Sequence, residues 1–201
     1  MADAIAGFNE TPARGPYTLA LGNSALYLSL PHASGTSGAA AAIVAKIRAM
    51  VSDGTAASYL PPSYRNDPAM IAGYKSQLLA TAHLLANPEA PSLETPWATG
   101  PGAWAFLLHP LSRGTVRLNL TDPLSQPALD YRAGTNPLDF DQHLAHVRFL
   151  RKIITTPTMR RLGAVETAPG SSVQSDAQLI EFVKDSIILS FQHPYGFSSS
   201  H

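Results

Sequence analysis

Apolar and polar residues alternate one by one in residues 115–120, which follow a turn at 111–114. The apolar positions of this run are Val116, Leu118 and Leu120. A period of two is typical of a strand with one buried face, so these three side chains are expected to face the core. Asp122 and Pro123 end the run, because proline has no amide hydrogen for a strand ladder. A second extended run at 127–131 completes a predicted hairpin.

Longer stretches carry the 3.6-residue period of amphipathic helices. The helix predicted at 39–51 has an apolar face formed by Ile43, Ile47 and Met50. The helix predicted at 67–86 begins with Asp67 as its N-cap and a proline in its first turn. Its apolar face is formed by Ile71, Leu78, Leu79, Ala82 and Leu85. The helix predicted at 139–155 carries an apolar stripe of Leu144, Val147, Leu150, Ile153 and Ile154.

Shorter elements fill the remaining sequence. Strands are predicted at 17–21, 25–30, 103–109 and 164–167, a loop at 87–102, a helical turn at 157–162 and a last helix at 176–189. Thr156 is the predicted N-cap of the helical turn, and Ser175 is the predicted N-cap of the last helix. Strands in clusters, separated by helices without strict alternation, favour an α+β fold. We expect an antiparallel or mixed sheet with helices on one face. Residues 1–15 are predicted to be an N-terminal arm, and residues 16–201 a single domain.

Composition narrows the functional classes. The 201 residues are 45% hydrophobic and 14% charged, which is typical of a globular chain. The formal net charge is zero, so nucleic-acid binding has no electrostatic support. No apolar run is long enough to span a membrane and no signal peptide is visible, so a cytoplasmic location is expected. The absence of cysteine excludes disulfides and thiolate chemistry.

Two patterns resemble binding motifs and are interpreted as structural. The residues Gly35-Thr36-Ser37-Gly38 precede a helix as a phosphate-binding loop would, but a complete G-x-G-x-x-G is absent. His143 and His146 lie three residues apart and hence near one helix face, but no third ligand accompanies them. The sequence therefore predicts no metal site.

One long stretch carries a family resemblance. The sequence HPLSRGTVRLNLTDPLSQPALDYR, followed by NPLDFDQHLAHVRFLRKI, combines an S-R-G-x-V-x-L strand, a T-D-P turn and a D-x-D-x-H helix in register. It resembles the C-terminal substrate-binding region of glucose–methanol–choline (GMC) flavin oxidoreductases, most of all fungal alcohol and aryl-alcohol oxidases. The resemblance covers residues 15–194 and implies an antiparallel sheet with helices packed on one face.

The resemblance also implies a catalytic histidine. His193-Pro194-Tyr195-Gly196 matches the family's H-P-x-G motif, whose histidine acts as a base beside the flavin. The family's flavin-binding G-x-G-x-x-G unit and its closing segment have no counterpart in this sequence. Side chains cannot accept a hydride, so this chain is not expected to oxidise an alcohol alone. We expect no bound cofactor, and FAD only where a partner chain supplies the flavin domain.

Three functions follow as hypotheses. The first is a flavin-independent enzyme that binds a hydrophobic small molecule, such as a fungal natural product, and catalyses cyclisation, isomerisation or elimination. The second is the substrate-binding half of a split FAD-dependent alcohol oxidoreductase. The third is a non-catalytic binding remnant. The apolar surface that a lost flavin domain would expose makes a homodimer the expected assembly.

The candidate site residues are the same for each hypothesis. His193 and Tyr195 are the predicted catalytic pair. The predicted substrate-binding residues are Trp104, His109, Arg117, Asp130, Tyr131 and Phe191. Each has a structural alternative: the tyrosines as packed aromatics, and Arg117 with Asp130 as a cross-strand ion pair.

Overall fold

The structure, a computed structural model, describes residues 2–15, 18, 24–97 and 104–188. Within these residues the chain forms α-helices and two small antiparallel sheets, which confirms the predicted α+β class. The predicted strand at 17–21 and the predicted site residues Phe191, His193 and Tyr195 lie outside the described residues.

The elements are bounded as follows. The helices are α1 (Ala2–Phe8), α2 (Leu30–Ser34), α3 (Ala39–Ser52), α4 (Pro68–Ala86), α5 (Leu138–Ile154), α6 (Pro157–Arg161) and α7 (Asp176–Ser186). The strands are β1 (Ser24–Ser29), β2 (Pro91–Trp97), β3 (Phe106–Leu107), β4 (Thr115–Arg117) and β5 (Ala128–Asp130). Single 3-10 turns lie at Gly35–Ser37, Thr55–Tyr59 and Pro62–Tyr64.

The larger sheet has the order β1-β2-β3, and its central strand was predicted to be a loop. Two prolines in β2 explain the wrong prediction, because proline is normally excluded from central strands. Pro91 is the first residue of the strand, where a missing amide hydrogen matters least. Pro96 pairs with Ala25 of β1 on one side. On the other side β3 pairs only with Leu93 and Glu94, so at Pro96 strand β2 is an edge strand of the described sheet.

The hydrophobic core lies between α3, α4 and α5. Ile43, Ile47 and Met50 of α3 are buried as their spacing predicted. On α4 the side chains of Leu78, Ala82 and Leu85 are buried, whereas Leu79 is 48% exposed, against prediction. The N-caps Asp67, Thr156 and Ser175 all accept backbone N–H groups, as their side chains predicted. No strand forms at 164–167.

Helix α5 buries a polar face as well as apolar side chains. Asp139, Gln142 and His146, spaced at i, i+3 and i+7, are all buried. The apolar stripe predicted for this helix is only half-buried. The helix contacts α2, α3 and α7, and it also reaches β3. It is therefore the element against which the other layers are assembled.

The small sheet of β4 and β5 is oriented opposite to prediction. The alternation of residues is present, but Val116, Leu118 and Leu120 are exposed by 45%, 60% and 85%. Thr115, on the polar face, is 7% exposed. The apolar face of this hairpin therefore does not face the core of the described residues.

None of the described helices combines the length and apolar character that crossing a membrane requires.

Candidate functional site

The turn at 109–113, which carries Ser112 and Arg113 of the S-R-G motif, is fixed by the first turn of α5. The Asp139 carboxylate accepts the backbone N–H of Leu111 at 2.6 Å and that of Ser112 at 3.0 Å. Burial raises the pKa of the Asp139 carboxyl, and the two N–H donors offset part of that rise. The carboxylate replaces the strand or helix partners that these buried amides lack.

Four more side chains help to fix this turn. The Ser112 hydroxyl accepts the N–H of Asn136 at 2.9 Å, and the Tyr74 hydroxyl donates to the Leu111 carbonyl at 2.9 Å. The Asn136 amide donates to the same tyrosine hydroxyl at 3.3 Å. The Arg113 guanidinium lies 5.8 Å from the Tyr74 ring centroid and donates to the Pro110 carbonyl. The motif residues thus join α4, α5 and the hairpin.

A second polar cluster lies further along the buried face of α5. His146 Nε2 is 3.1 Å from the Ser92 hydroxyl on β2, and Gln142 donates to the His109 carbonyl at 3.5 Å. His146 and Gln142 are fully buried. Their other polar atoms, Nδ1 and Oε1, have no hydrogen-bond partner among the described residues. This cluster connects α5 to β2 and to the motif turn.

Burial keeps the histidines of this cluster neutral. Burial lowers the pKa of His143 to about 4, and burial together with the neighbouring His143 lowers the pKa of His146 to about 3. Within the described residues, no group of three or more His, Asp or Glu side chains is arranged to hold a metal ion. That both histidines are structural remains a prediction from the sequence.

The predicted residues Arg117, Asp130 and Tyr131 lie on or beside the hairpin. The Arg117 guanidinium lies 5.9 Å from the ring centroid of Tyr64, so it packs on an aromatic face. In the sheet register Arg117 lies opposite Ala128, and Asp130 lies opposite Thr115. The described side chains of Arg117 and Asp130 form no ion pair with each other. Tyr131 is half-buried. The structure thus favours a cation–π contact over the expected cross-strand ion pair.

The predicted residues Trp104 and His109 precede the motif turn. The Trp104 ring is 43% exposed, and its centroid lies 6.3 Å from that of Phe106. Burial lowers the pKa of the His109 imidazole, and a hydrogen bond to the Pro91 backbone offsets part of that effect. His109 and Arg117 contact different neighbours, so they do not share a polar site. The roles of all these residues in substrate binding remain predictions.

A shallow cleft of about 400 Å³ lies away from all of these residues, where α3 meets the start of α5. It is lined by Lys46, Ala49, Met50, Asp53, Thr55, Tyr59, Pro137, Leu138 and Asp141. An ion pair of 2.7 Å between Lys46 and Asp141 bridges two of its walls. No predicted site residue lines this cleft.

The glycine-rich segment does not fit a nucleotide cofactor. In a dinucleotide-binding unit the glycines link a strand directly to a helix and allow close approach of the pyrophosphate. Here α2 separates β1 from Gly35, and a Cβ added at Gly35 or Gly38 would meet no atom within 4 Å. The segment at 35–38 therefore lacks the strand-to-helix geometry of a dinucleotide-binding loop.

Comparison with known proteins gives a consistent family. The family model for the C-terminal part of GMC oxidoreductases matches residues 110–198. A fungal aryl-alcohol oxidase of known structure is 64% identical, with a TM-score of 0.77, over 90% of this chain and 30% of its own. An FAD-dependent oxidoreductase from Chaetomium thermophilum is 34% identical, with a TM-score of 0.77, over 92% of this chain and 30% of its own. The dehydrogenase xptC of Emericella nidulans is 36% identical over 89 residues, which are 44% of this chain and 14% of that dehydrogenase.

The chain spans less than a third of the length of these solved relatives. The family match includes most of the motif turn, the hairpin, α5 and α7, so Ser112, Asn136 and Asp139 lie in the matched region, whereas their partner Tyr74 lies before it. The chain thus resembles the C-terminal substrate-binding region of GMC oxidoreductases, and its residues 110–198 match the model of that family.

Proposed function

We propose that this chain is the substrate-side domain of an FAD-dependent alcohol oxidoreductase of the GMC type. The observation that carries the proposal is the 64% identity to a fungal aryl-alcohol oxidase across 90% of the chain. Alcohol oxidation needs an electron acceptor that side chains cannot provide, and the FAD-dependent relative extends well beyond the 30% of its length that this chain matches. The flavin would therefore be held by residues outside these 201.

The residues of this chain would supply the proton chemistry and the shape of the pocket. His193, in the H-P-x-G match, is the proposed base for the substrate hydroxyl, because an imidazole titrates near neutral pH. Helix α7 ends at Ser186, seven residues before His193, and Leu179 and Val183 anchor it against α5. This anchorage supports a fixed starting point for the segment that carries the histidine.

The comparisons support this function better than the flavin-independent cyclase, isomerase or lyase. The relatives compared above include an aryl-alcohol oxidase, an FAD-dependent oxidoreductase and a dehydrogenase. A pocket formed by this chain without flavin would bind a ligand and give no product, which is the outcome of the remnant hypothesis.

A domain replacement tests the proposal. The part of the fungal aryl-alcohol oxidase that matches this chain is replaced by the 201-residue chain, and the chimera is purified with FAD. We expect a bound flavin spectrum and anaerobic flavin reduction by an aryl alcohol. His193→Ala should retain the flavin and slow its reduction by about two to four orders of magnitude.

His83→Ala is the control, because His83 is an exposed residue of α4 outside the matched segment. It should reduce its flavin at the rate of the parent chimera. A chimera that binds FAD normally but never reduces it, with His193 present, would contradict the proposed function.

A further inference from the structure

The apolar side chains of the β4–β5 hairpin are exposed, which is unfavourable in an isolated domain. Val116 pairs with Leu129 across the two strands, and Leu118 follows two residues along on the same face. These side chains are exposed by 45%, 54% and 60%. Leu120 and Leu124 at the outer end are exposed by 85% and 99%. The apolar row therefore runs outward along the whole hairpin.

The opposite, polar face of the hairpin meets the domain at its base. Thr115 is buried there, and the Arg117 guanidinium lies over the Tyr64 ring. Beyond Thr115 the residues of both strands are exposed, so the described part of the chain leaves the apolar row uncovered. A contiguous exposed apolar patch is typical of a protein–protein contact.

The base of the hairpin is also fixed to the domain. The strands begin directly after the motif turn, whose amides are held by Asp139. A two-stranded sheet with three residues in each strand is marginal in water without a covering layer. The anchored base and the uncovered apolar side together describe a docking surface and not a frayed loop.

We infer that the apolar face of Val116, Leu118 and Leu129 is the surface on which the flavin-bearing part of the oxidoreductase docks. The inference rests on the proposed function and adds the surface to it. The length of the relatives indicates the occupant. The chain spans 30% of both solved relatives, and the remaining residues of those proteins must pack on this region. A second copy of the chain is the competing occupant.

Two matched variants test the surface. Leu118→Glu places a charge on the docking face, and Leu79→Glu places the same charge on an exposed leucine of α4, outside the hairpin. The first measurement is the native mass and the melting temperature of the 201-residue chain. Both variants should melt like the parent chain, because neither leucine is buried in it.

The second measurement uses the chimeric holoenzyme and the temperature at which it releases FAD. Leu118→Glu should lower that temperature by about 5 °C or more, because a buried carboxylate without a partner is unfavourable, and Leu79→Glu should leave it unchanged. Equal effects of the two variants would overturn the docking surface while leaving the proposed function intact. A parent chimera that holds no FAD would overturn both. A dimeric 201-residue chain that Leu118→Glu converts to monomer would assign the surface to self-association and overturn the inference.

Discussion

The carboxylate of Asp139 accepts the backbone N–H of Leu111 across 28 residues of sequence, at 2.6 Å and in a fully buried setting. The same carboxylate accepts the N–H of Ser112 through its second oxygen. One side chain therefore satisfies two amides in a turn that has no secondary structure of its own. It is the first link between α5 and the family motif.

Asp139→Ala should lower the free energy of unfolding by about 3 kcal/mol, because it leaves two buried amides without an acceptor. Urea denaturation followed by circular dichroism measures this change. The control is Asp141→Ala, which removes a carboxylate two residues away in the same helical turn. Its ion pair with Lys46 lies at the surface, so its loss should change stability by about 1 kcal/mol or less. Equal losses in the two variants would contradict the assigned role of Asp139.

Tyr74→Phe should cost about 1 to 2 kcal/mol, because the Leu111 carbonyl and the Asn136 amide lose their shared partner. Tyr64→Phe is the control, since no hydrogen bond to the Tyr64 hydroxyl occurs in the described part of the chain. Combined with Asp139→Ala, the Tyr74→Phe change should be non-additive, because both side chains hold Leu111. Strict additivity in a double-mutant cycle would show that the two contacts are independent.

Gly134→Ala should destabilise the fold by about 2 kcal/mol more than Gly38→Ala. Both glycines have a positive φ, +68° and +73°, which a Cβ disfavours equally. At Gly134 the new Cβ would also lie 2.2 Å from the Phe140 ring, whereas at Gly38 it would meet no atom within 4 Å. Thermal unfolding of the two variants measures the difference. Adding Phe140→Ala to Gly134→Ala should remove the steric part of the loss and leave the backbone part.

Acid should destabilise the protein through its buried histidines. The pKa of His146 is lowered to about 3 and that of His143 to about 4, from an ordinary 6.5. The unfolded chain therefore binds more protons below pH 6.5, so stability is complete above that pH and falls as pH drops towards the folded values. Between pH 7 and pH 5.5 each histidine should cost about 1 kcal/mol.

The measurement is urea denaturation of the parent chain and of His146→Asn at both pH values. Asparagine does not titrate, so the variant should lose about half of the pH dependence contributed by the two histidines. The raised pKa of Asp139 acts in the opposite direction, and it cancels in the comparison because both proteins retain it. An unchanged pH dependence in His146→Asn would show that this histidine titrates in the native state as it does in the unfolded chain.

The sequence predicted those elements whose signals are local. The helix caps at Asp67, Thr156 and Ser175 and the apolar face of α3 depend on neighbouring residues only, and the structure agrees with them. Strand β2 depends on which partner meets each proline, so its composition alone indicated a loop. The hairpin shows the same limit, because alternation fixes two faces but not which of them the domain covers.

The candidate site was predictable mainly through resemblance. The S-R-G motif marked the correct turn, and the spacing of Asp139, Gln142 and His146 was visible as polar residues on one helix face. Their partners Ser92 and Tyr74 lie 54 and 62 residues from His146 and Asn136, and no local pattern links such pairs. The catalytic assignment of His193 remains a prediction from the family motif.

The anchored turn at 109–113 sets the direction of everything that follows it. The side chains of Asp139 in α5 and Tyr74 in α4 both form hydrogen bonds with the backbone of Leu111. The short strands beyond it have little stiffness of their own, so the orientation of the hairpin is set by the angle between the two helices. A small change in the angle between α4 and α5 would therefore displace the tip of the hairpin. Core substitutions far from the hairpin would thereby change the alignment of its outer face.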